Sequence, residues 1–426
     1  MKYAYINGII LDGTENMTPK KGLIILTDGD TIKDIVLKSD RPRGYRTIDL
    51  GGRYVMPGLI NMHVHLPATG KPKKKQPDSA KLVKLLTSNP LTRSVLQKMC
   101  EKSARDELMS GVTTLRTVGG VQNYDTIIRD RINSGAIKGP RILAGNMAVS
   151  VPGGHMAGSL AYMANSAEEA ADYVRKIAED KPDLIKLMIT GGVLDAKVRG
   201  EPGVLKMPPE YVRAACDTAH ALGYKVAAHV ESPEGVRTAL ENGVDSIEHG
   251  AKPDADIVKL FKDTGAFLVT TLSPALPYAL FDRAVSHATE MEQYNGSVVF
   301  DGIKDCAKTC LENGVPVGLG TDTGCPYITH YDMWRELVYF HKFCGVTNAF
   351  ALYSATKLNA KLLGLDGVTG SIAPGKCADL IVTKDNPLDD LKALRNVTMV
   401  VARGKPILRP RVRKMPEVEL ELDKFI

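Results

Sequence analysis

The chain has 426 residues, with Lys+Arg 55 against Asp+Glu 49 and 44% hydrophobic residues, enough for a large buried core plus an accessory unit, and disordered or fibrous classes are excluded. The formal net charge of +6 is spread along the chain rather than gathered in a basic stripe, so no nucleic-acid partner is implied. No apolar run approaches the roughly 18–20 residues of a membrane span, the opening MKYAYINGIILDG is too broken for a secretory leader, and seven scattered cysteines without a CxxC pair fit a reducing compartment. These features point to a cytoplasmic protein with no membrane partner.

Residues 1–52 alternate short apolar stretches with Asn-Gly and Asp-Gly turns, the pattern of hairpin strands. The texture then changes to helix-like stretches that end at Gly and run into β-rich segments. Leu108-Met-Ser-Gly111-Val112, Leu240-Glu-Asn-Gly243-Val244 and Leu311-Glu-Asn-Gly314-Val315 are three copies of one junction. Glycine there relieves a left-handed backbone at the helix end, and the β-branched residue opens a strand. Eight strands are predicted: Tyr54–His65, Val112–Val118, Arg141–Val149, Leu184–Thr190, Lys225–His229, Asp245–His249, Phe267–Leu272 and Val315–Asp322. A helix begins at Pro208-Pro209 and stops at Gly223. Repeated βα units of this number predict an α/β fold, a (β/α)8 TIM-type barrel over 53–367. The connections 67–92 and 274–297 are long enough for lids, and the run Lys73-Lys74-Lys75 in the first reads as solvated surface. From 368 onward hairpin texture returns, so 1–52 and 368–426 are expected to form one small β-sandwich domain, with 409–426 a flexible end or a strand laid on a neighbour.

Chemistry enters at Met56-Pro-Gly-Leu-Ile-Asn-Met-His63-Val-His65. Side chains alternate in a strand, so His63 and His65 share a face, as two imidazoles must to reach one metal ion. Lys186, His229, His249 and Asp322 fall near the C-terminal tips of later strands, and in a barrel all tips open on one rim. Lys186 lies in a nearly continuous apolar strand, where an ammonium is costly to bury. Reaction with CO2 would make it a carbamate, an anionic two-oxygen ligand able to bridge two cations.

The motifs PGLINMHVH (57–65), GVTTLRTVGG (111–120), PGGHMAG (152–158), IKLMITGG (185–192), AAHVES (227–232), SIEHG (246–250), GLGTDTG (318–324) and PGKCADLIV (374–382) together resemble the amidohydrolase superfamily over nearly the whole chain. The lysine motif is similar to that of its binuclear branch, and within it to the imidazolonepropionase-like and prolidase-like group. The resemblance implies that His63, His65 and Asp322 hold one divalent ion, that His229 and His249 hold a second, and that carboxylated Lys186 bridges them. Two zinc ions are the expected cofactors. It further implies hydrolysis of a C–N amide bond in a small-molecule substrate such as a dipeptide, an N-acyl amino acid or a cyclic amide. Asp322 would act as proton carrier, and His155 would donate to the substrate carbonyl.

Two positions depart from that group. Where carboxypeptidase-like members place a tyrosine that helps hold the substrate carboxylate, this chain has Glu231. Turned into the pocket, Glu231 favours a cationic or donating substrate group; turned away, it is a solvated rim residue. Thr117 follows Arg116 where many relatives have an acid. Cys325 is assigned to packing, His330 to an exposed loop, and His220, His287 and His341 to structural roles. Two other readings stand beside the first: a mononuclear deaminase of a heteroaromatic ring, with Glu231 as proton carrier, and a non-catalytic binding barrel. Relatives in the superfamily are often oligomeric, which makes a homo-oligomer a further expectation.

Overall fold

The computed structural model describes residues 1–40, 43–72 and 78–426, which leaves the run at 73–75 outside the described residues. Its centre is a set of short parallel strands, numbered in chain order: β1 (Leu59–Val64), β2 (Val112–Thr117), β3 (Arg141–Leu143), β4 (Ala148–Ser150), β5 (Leu184–Met188), β6 (Lys225–Val230), β7 (Ser246–His249), β8 (Phe267–Thr270) and β9 (Val317–Leu319). β1, β2 and β3 form one sheet, and β4 to β9 are neighbours in a second, with Ala161–Met163 added outside β4. Beyond β9 the chain returns to β1. Asp322 N donates to His63 O at 2.9 Å, His65 N donates to Thr323 O at 3.2 Å, and Val64 and Thr323 form a parallel bridge.

Alternation explains why these strands have two kinds of face. In β5, Ile185 and Leu187 join the main core, whereas Leu184 and Met188 join small inner clusters and Lys186 lies between them on the same face. In β6, Val226, Ala228 and Val230 take the core side, leaving Ala227 and His229 inside. Helices such as Ala167–Glu179, Pro209–Ala221 and Pro233–Glu241 bury one stripe against that outer side. The three predicted junction glycines have φ of 107°, 97° and 71° at Gly111, Gly243 and Gly314, the left-handed backbone that only glycine adopts at little cost.

Several predicted strands are shorter, and two are divided. Tyr54–His65 splits at Gly58: Tyr54–Pro57 pairs antiparallel with Leu380–Thr383, and β1 then starts beside β2. A Cβ on Gly58 would lie 2.1 Å from Thr113 Oγ1, so only glycine lets the chain pass from one sheet to the other there. Arg141–Val149 divides into β3 and β4 because the intervening backbone N–H groups donate sideways: Ala144 to Asp183, Gly145 to Thr117 Oγ1 and Asn146 to Asp125. Asn146 also takes φ 57°. Strand β9 ends at Leu319, short of the predicted Asp322, which sits beyond it at φ 55°.

Strands from both ends of the chain build two further sheets. Thr31–Leu37, Leu23–Asp28, Lys2–Ile6 and Arg46–Asp49 form one; Lys405–Leu408, Met399–Ala402, Leu380–Thr383, Tyr54–Pro57 and Ile9–Ile10 form the other. Tyr5, Ile25 and Ile32 share a core with Leu380, Val382 and Val401. The tail is neither loose nor a strand on a neighbour, because Pro416–Leu422 is a helix with Val418 and Leu422 buried. Arg335 holds Asp423 at 2.7 Å, Arg395 holds Glu419 at 2.5 Å, and the Phe425 ring stacks on Phe281 at 5.4 Å. Apolar residues at 418, 422 and 425 face the body while acids between them meet two arginines, which favours this docked helix over an extended end.

Candidate active site

His63 and His65 lie on the inner face at the end of β1, where their ring centres are 5.3 Å apart. Asp322 reaches both through Oδ1, at 3.4 Å from His63 Nε2 and 3.0 Å from His65 Nε2. Gly320 brings the two chain segments this close, since a Cβ there would fall 2.7 Å from His63 N. His229 at the end of β6 and His249 at the end of β7 approach from the opposite side, with rings 4.7 Å apart, and His249 lies 4.8 Å from His63. Candidate donor atoms of His63, His249 and Asp322 fall within 4.8 Å of one another, as do those of His229, Glu231 and His249. Lys186 is the middle residue of β5 rather than at its tip, and it too lines the cavity these groups surround.

The ring nitrogens have partners that sort donors from ligands. His63 Nδ1 meets Glu248 Oε2 at 2.9 Å, His65 Nδ1 meets Gly119 O at 2.6 Å, and His249 Nδ1 meets Thr271 Oγ1 at 2.7 Å. Donation from Nδ1 leaves Nε2 of each as a lone-pair donor, the usual arrangement behind a ligating histidine. His229 is reversed: its Nε2 lies 3.3 Å from Gly191 O, which frees Nδ1. Burial pushes the His63 ring down to about 4, and burial holds His229 and His249 well below the ordinary imidazole range, so these rings stay neutral and able to ligate.

Lys186 Nζ is buried with no hydrogen-bond partner, and burial lowers the amine to about 8. Burial acts in the opposite sense on Glu248, but Arg116 and His63 outweigh it and keep this carboxylate well below its ordinary range. Arg116 is fully engaged, donating to Glu248 Oε1 at 2.6 Å, Met62 O at 2.7 Å and Ser246 Oγ at 3.1 Å. Thr117, which follows it, accepts from Gly145 N and so serves the bend between β3 and β4.

His155 stacks on His229 at 4.1 Å with rings 6° from parallel, and its Nδ1 lies 2.5 Å from Asp195 Oδ2. Gly192 N also donates to that oxygen, at 2.9 Å, so the ring is fixed with Nε2 toward the cavity. Glu231 is turned inward: it lines the cavity, and its Oε2 is buried without a partner. Burial raises this carboxyl to about 8. The cavity measures about 270 Å³. Its outer wall comes from both long connections, through Leu82 and Leu86 of the helix Ser79–Leu86 and through Ala275 and Tyr278.

Sequence reasoning missed Glu248, Asp195 and Thr271. The signal for Glu248 was available, because a carboxylate in the fully buried strand β7 requires a partner as much as Lys186 does in β5. No comparable signal marked Asp195, a loop residue far from His155 in sequence. His330 is not exposed: its ring lies 3.2 Å from Glu107 Oε1 and 2.7 Å from Ala68 O, 4% accessible. Glu107 is a buried acid of the helix Pro90–Met109, and the histidine satisfies it, which is why that loop folds inward. Cys325 Sγ lies 3.7 Å from Asp322 Oδ2. His220 pairs with Asp245 at 2.8 Å, His287 ends the short helix Arg283–Ser286, and His341 meets Val346 O at 2.6 Å.

The model of the amidohydrolase family matches residues 54–407. Among solved structures, a protein from Bifidobacterium longum is 34% identical, with a TM-score of 0.88 and coverage of 99% of this chain and 98% of that one. A Xaa-Pro dipeptidase with methionine bound in its active site is 31% identical, with a TM-score of 0.84 and coverage of 96% and 100%. Among curated proteins, the ochratoxinase of Aspergillus niger is 25% identical over 436 residues, covering 92% of this chain and 86% of its own. An imidazolonepropionase of Geobacillus kaustophilus is 23% identical over 364 residues, covering 81% and 78%.

Proposed function

Because the chain belongs to the amidohydrolase family, we propose that it is a metal-dependent hydrolase that cleaves a C–N amide bond of a small substrate. The observation that carries this reading is the convergence on one cavity of four histidines, Asp322 and the partnerless amine of Lys186. Imidazoles with one nitrogen committed elsewhere, together with a carboxylate, are a donor set that divalent cations accept.

In the finer reading, His63, His65 and Asp322 would hold one ion, His229 and His249 would hold the other, and Lys186, as a carbamate, would be a ligand shared by both. Carbamate formation joins the amine nitrogen to the carbon of CO2 and releases one proton, and the burial that makes Lys186 a weaker base favours it. Zinc suits such mixed nitrogen and oxygen donors. When bound, the cations supply Lewis acidity toward the substrate carbonyl and toward the attacking water. Asp322 Oδ2 accepts the proton of that water and returns it to the departing nitrogen. His155, oriented by Asp195, donates from Nε2 to the carbonyl oxygen as charge develops there. No side chain is needed as nucleophile.

The strands carrying these residues fit a closed (β/α)8 barrel over 53–367, with 1–52 and 368–426 as a small β-sandwich domain and Tyr54–Pro57 as the link. No helix among the described residues is long and apolar enough to cross a membrane, and the cytoplasm is the proposed compartment.

The test is elemental analysis of protein purified without chelators and with bicarbonate, beside Lys186→Ala. About two ions per chain falling markedly in the variant support the bridged centre. One ion in both, with Lys186 immaterial, transfers the assignment to a mononuclear deaminase, for which Glu231 near His229 and His249 would carry the proton. A full metal complement without turnover of dipeptides, acyl amino acids or cyclic amides would instead identify a binding barrel.

A further inference from the structure

Three charged residues line the cavity among the described residues, namely Lys186, Asp322 and Glu231. Two of them serve the metal centre in the hydrolase reading. The third, Glu231, is left with a buried oxygen that no protein group satisfies, and an unpaired buried carboxylate costs more than almost any other polar group. Its placement is rigid: Glu231 N donates to Thr190 Oγ1 at 3.0 Å, and Gly203 packs so closely on its carbonyl that a Cβ there would sit 2.2 Å away. The backbone from which the side chain enters the cavity is therefore fixed. A carboxylate oxygen of Glu231 lies within 4.8 Å of the donor nitrogens of His229 and His249, which places it beside the reacting centre of the hydrolase reading.

The rest of the cavity is lined by Leu82, Leu86, Leu160, Val193, Pro274 and Tyr278, and Lys186 is its one Lys or Arg among the described residues. Apart from Lys186 and the metal centre, a substrate carboxylate would find no cation among the described lining residues, whereas an ammonium beside the carbonyl would find Glu231. Resting on the hydrolase reading above, we infer that the substrates are aminoacyl amides with a free α-amine and an apolar body, and that Glu231 holds that α-ammonium. Glu231 thereby selects against N-acylated amides, which bury the carboxylate without a partner, and orients the carbonyl of the accepted substrate.

The experiment pairs leucine anilide with N-acetyl-leucine anilide on the metal-loaded enzyme and on Glu231→Gln, with metal content measured for both proteins. The expected wild-type kcat/KM is at least about tenfold higher for the free amine, and the ratio falls toward one in Glu231→Gln at an unchanged metal content. Equal wild-type rates on the two anilides would overturn the assignment, as would loss of an ion from the variant, which would make Glu231 a ligand. Should neither anilide be cleaved, the fault lies with the anilide leaving group or with the hydrolase reading, and calorimetry with leucinamide and N-acetyl-leucinamide decides the Glu231 site in either case. A preference for the free amine that Glu231→Gln abolishes upholds the Glu231 site, and equal or absent binding overturns it.

Discussion

The floor and the wall of the cavity are built on different terms. On the floor, strands β1, β5, β6 and β7 deliver side chains from a frame that is buried on every side, and nearly every polar atom has a named partner. The wall comes from the helix Ser79–Leu86, in which no residue is buried, and from the segment around Leu276–Leu280. A rigid floor fixes a reaction, and a loosely anchored wall can change its substrate without disturbing the chemistry beneath. Substitutions on the two sides should therefore differ in kind.

The largest effect is expected at Asp322, the acid that touches both histidines of β1. Asp322→Asn should lower kcat by about three orders of magnitude, in steady-state kinetics on the best amide found. Next comes the ion pair beneath the centre. Arg116→Met leaves Glu248 buried without its cation and should cost about 3–5 kcal/mol in urea unfolding. The pH dependence follows from the same pair. Glu248 titrates below its ordinary value of 4.5 in the folded chain, so its stabilisation is present above that pH and is lost as pH falls further. Acid unfolding of Arg116→Met should begin at higher pH than that of the wild type, by circular dichroism. Glu248→Gln leaves one accepting oxygen for two donors, His63 Nδ1 and Arg116, and should weaken metal binding by about 10–100-fold in a chelator competition. The smallest effect is expected on the wall, where Leu86→Ala should alter KM by about two- to tenfold and leave metal content intact. Loss of metal in Leu86→Ala would erase the distinction between floor and wall.

The same division governs what could be foreseen from the residues alone. The β1 pair His63 and His65 is legible because alternation puts both on one face, and Lys186 because a cation in an apolar strand demands a partner. The strand boundaries at Gly58 and Asn146 were not, since each depends on contacts with Thr113, Thr117 and Asp125 from distant segments. His330 escaped for the same reason, because nothing local marks a loop histidine that satisfies Glu107 on a helix far earlier in the chain. Whether Glu231 faced inward was likewise a tertiary question, since its backbone is held by Thr190 and Gly203 from other segments.

The pairing of Tyr54–Pro57 with Leu380–Thr383 also has a temporal meaning. During translation the strand that leads into His63 and His65 emerges early, yet its antiparallel partner is among the last parts of the fold to be made. Until then that edge stays open to other chains, and the strand that leads into His63 and His65 lacks its buttress.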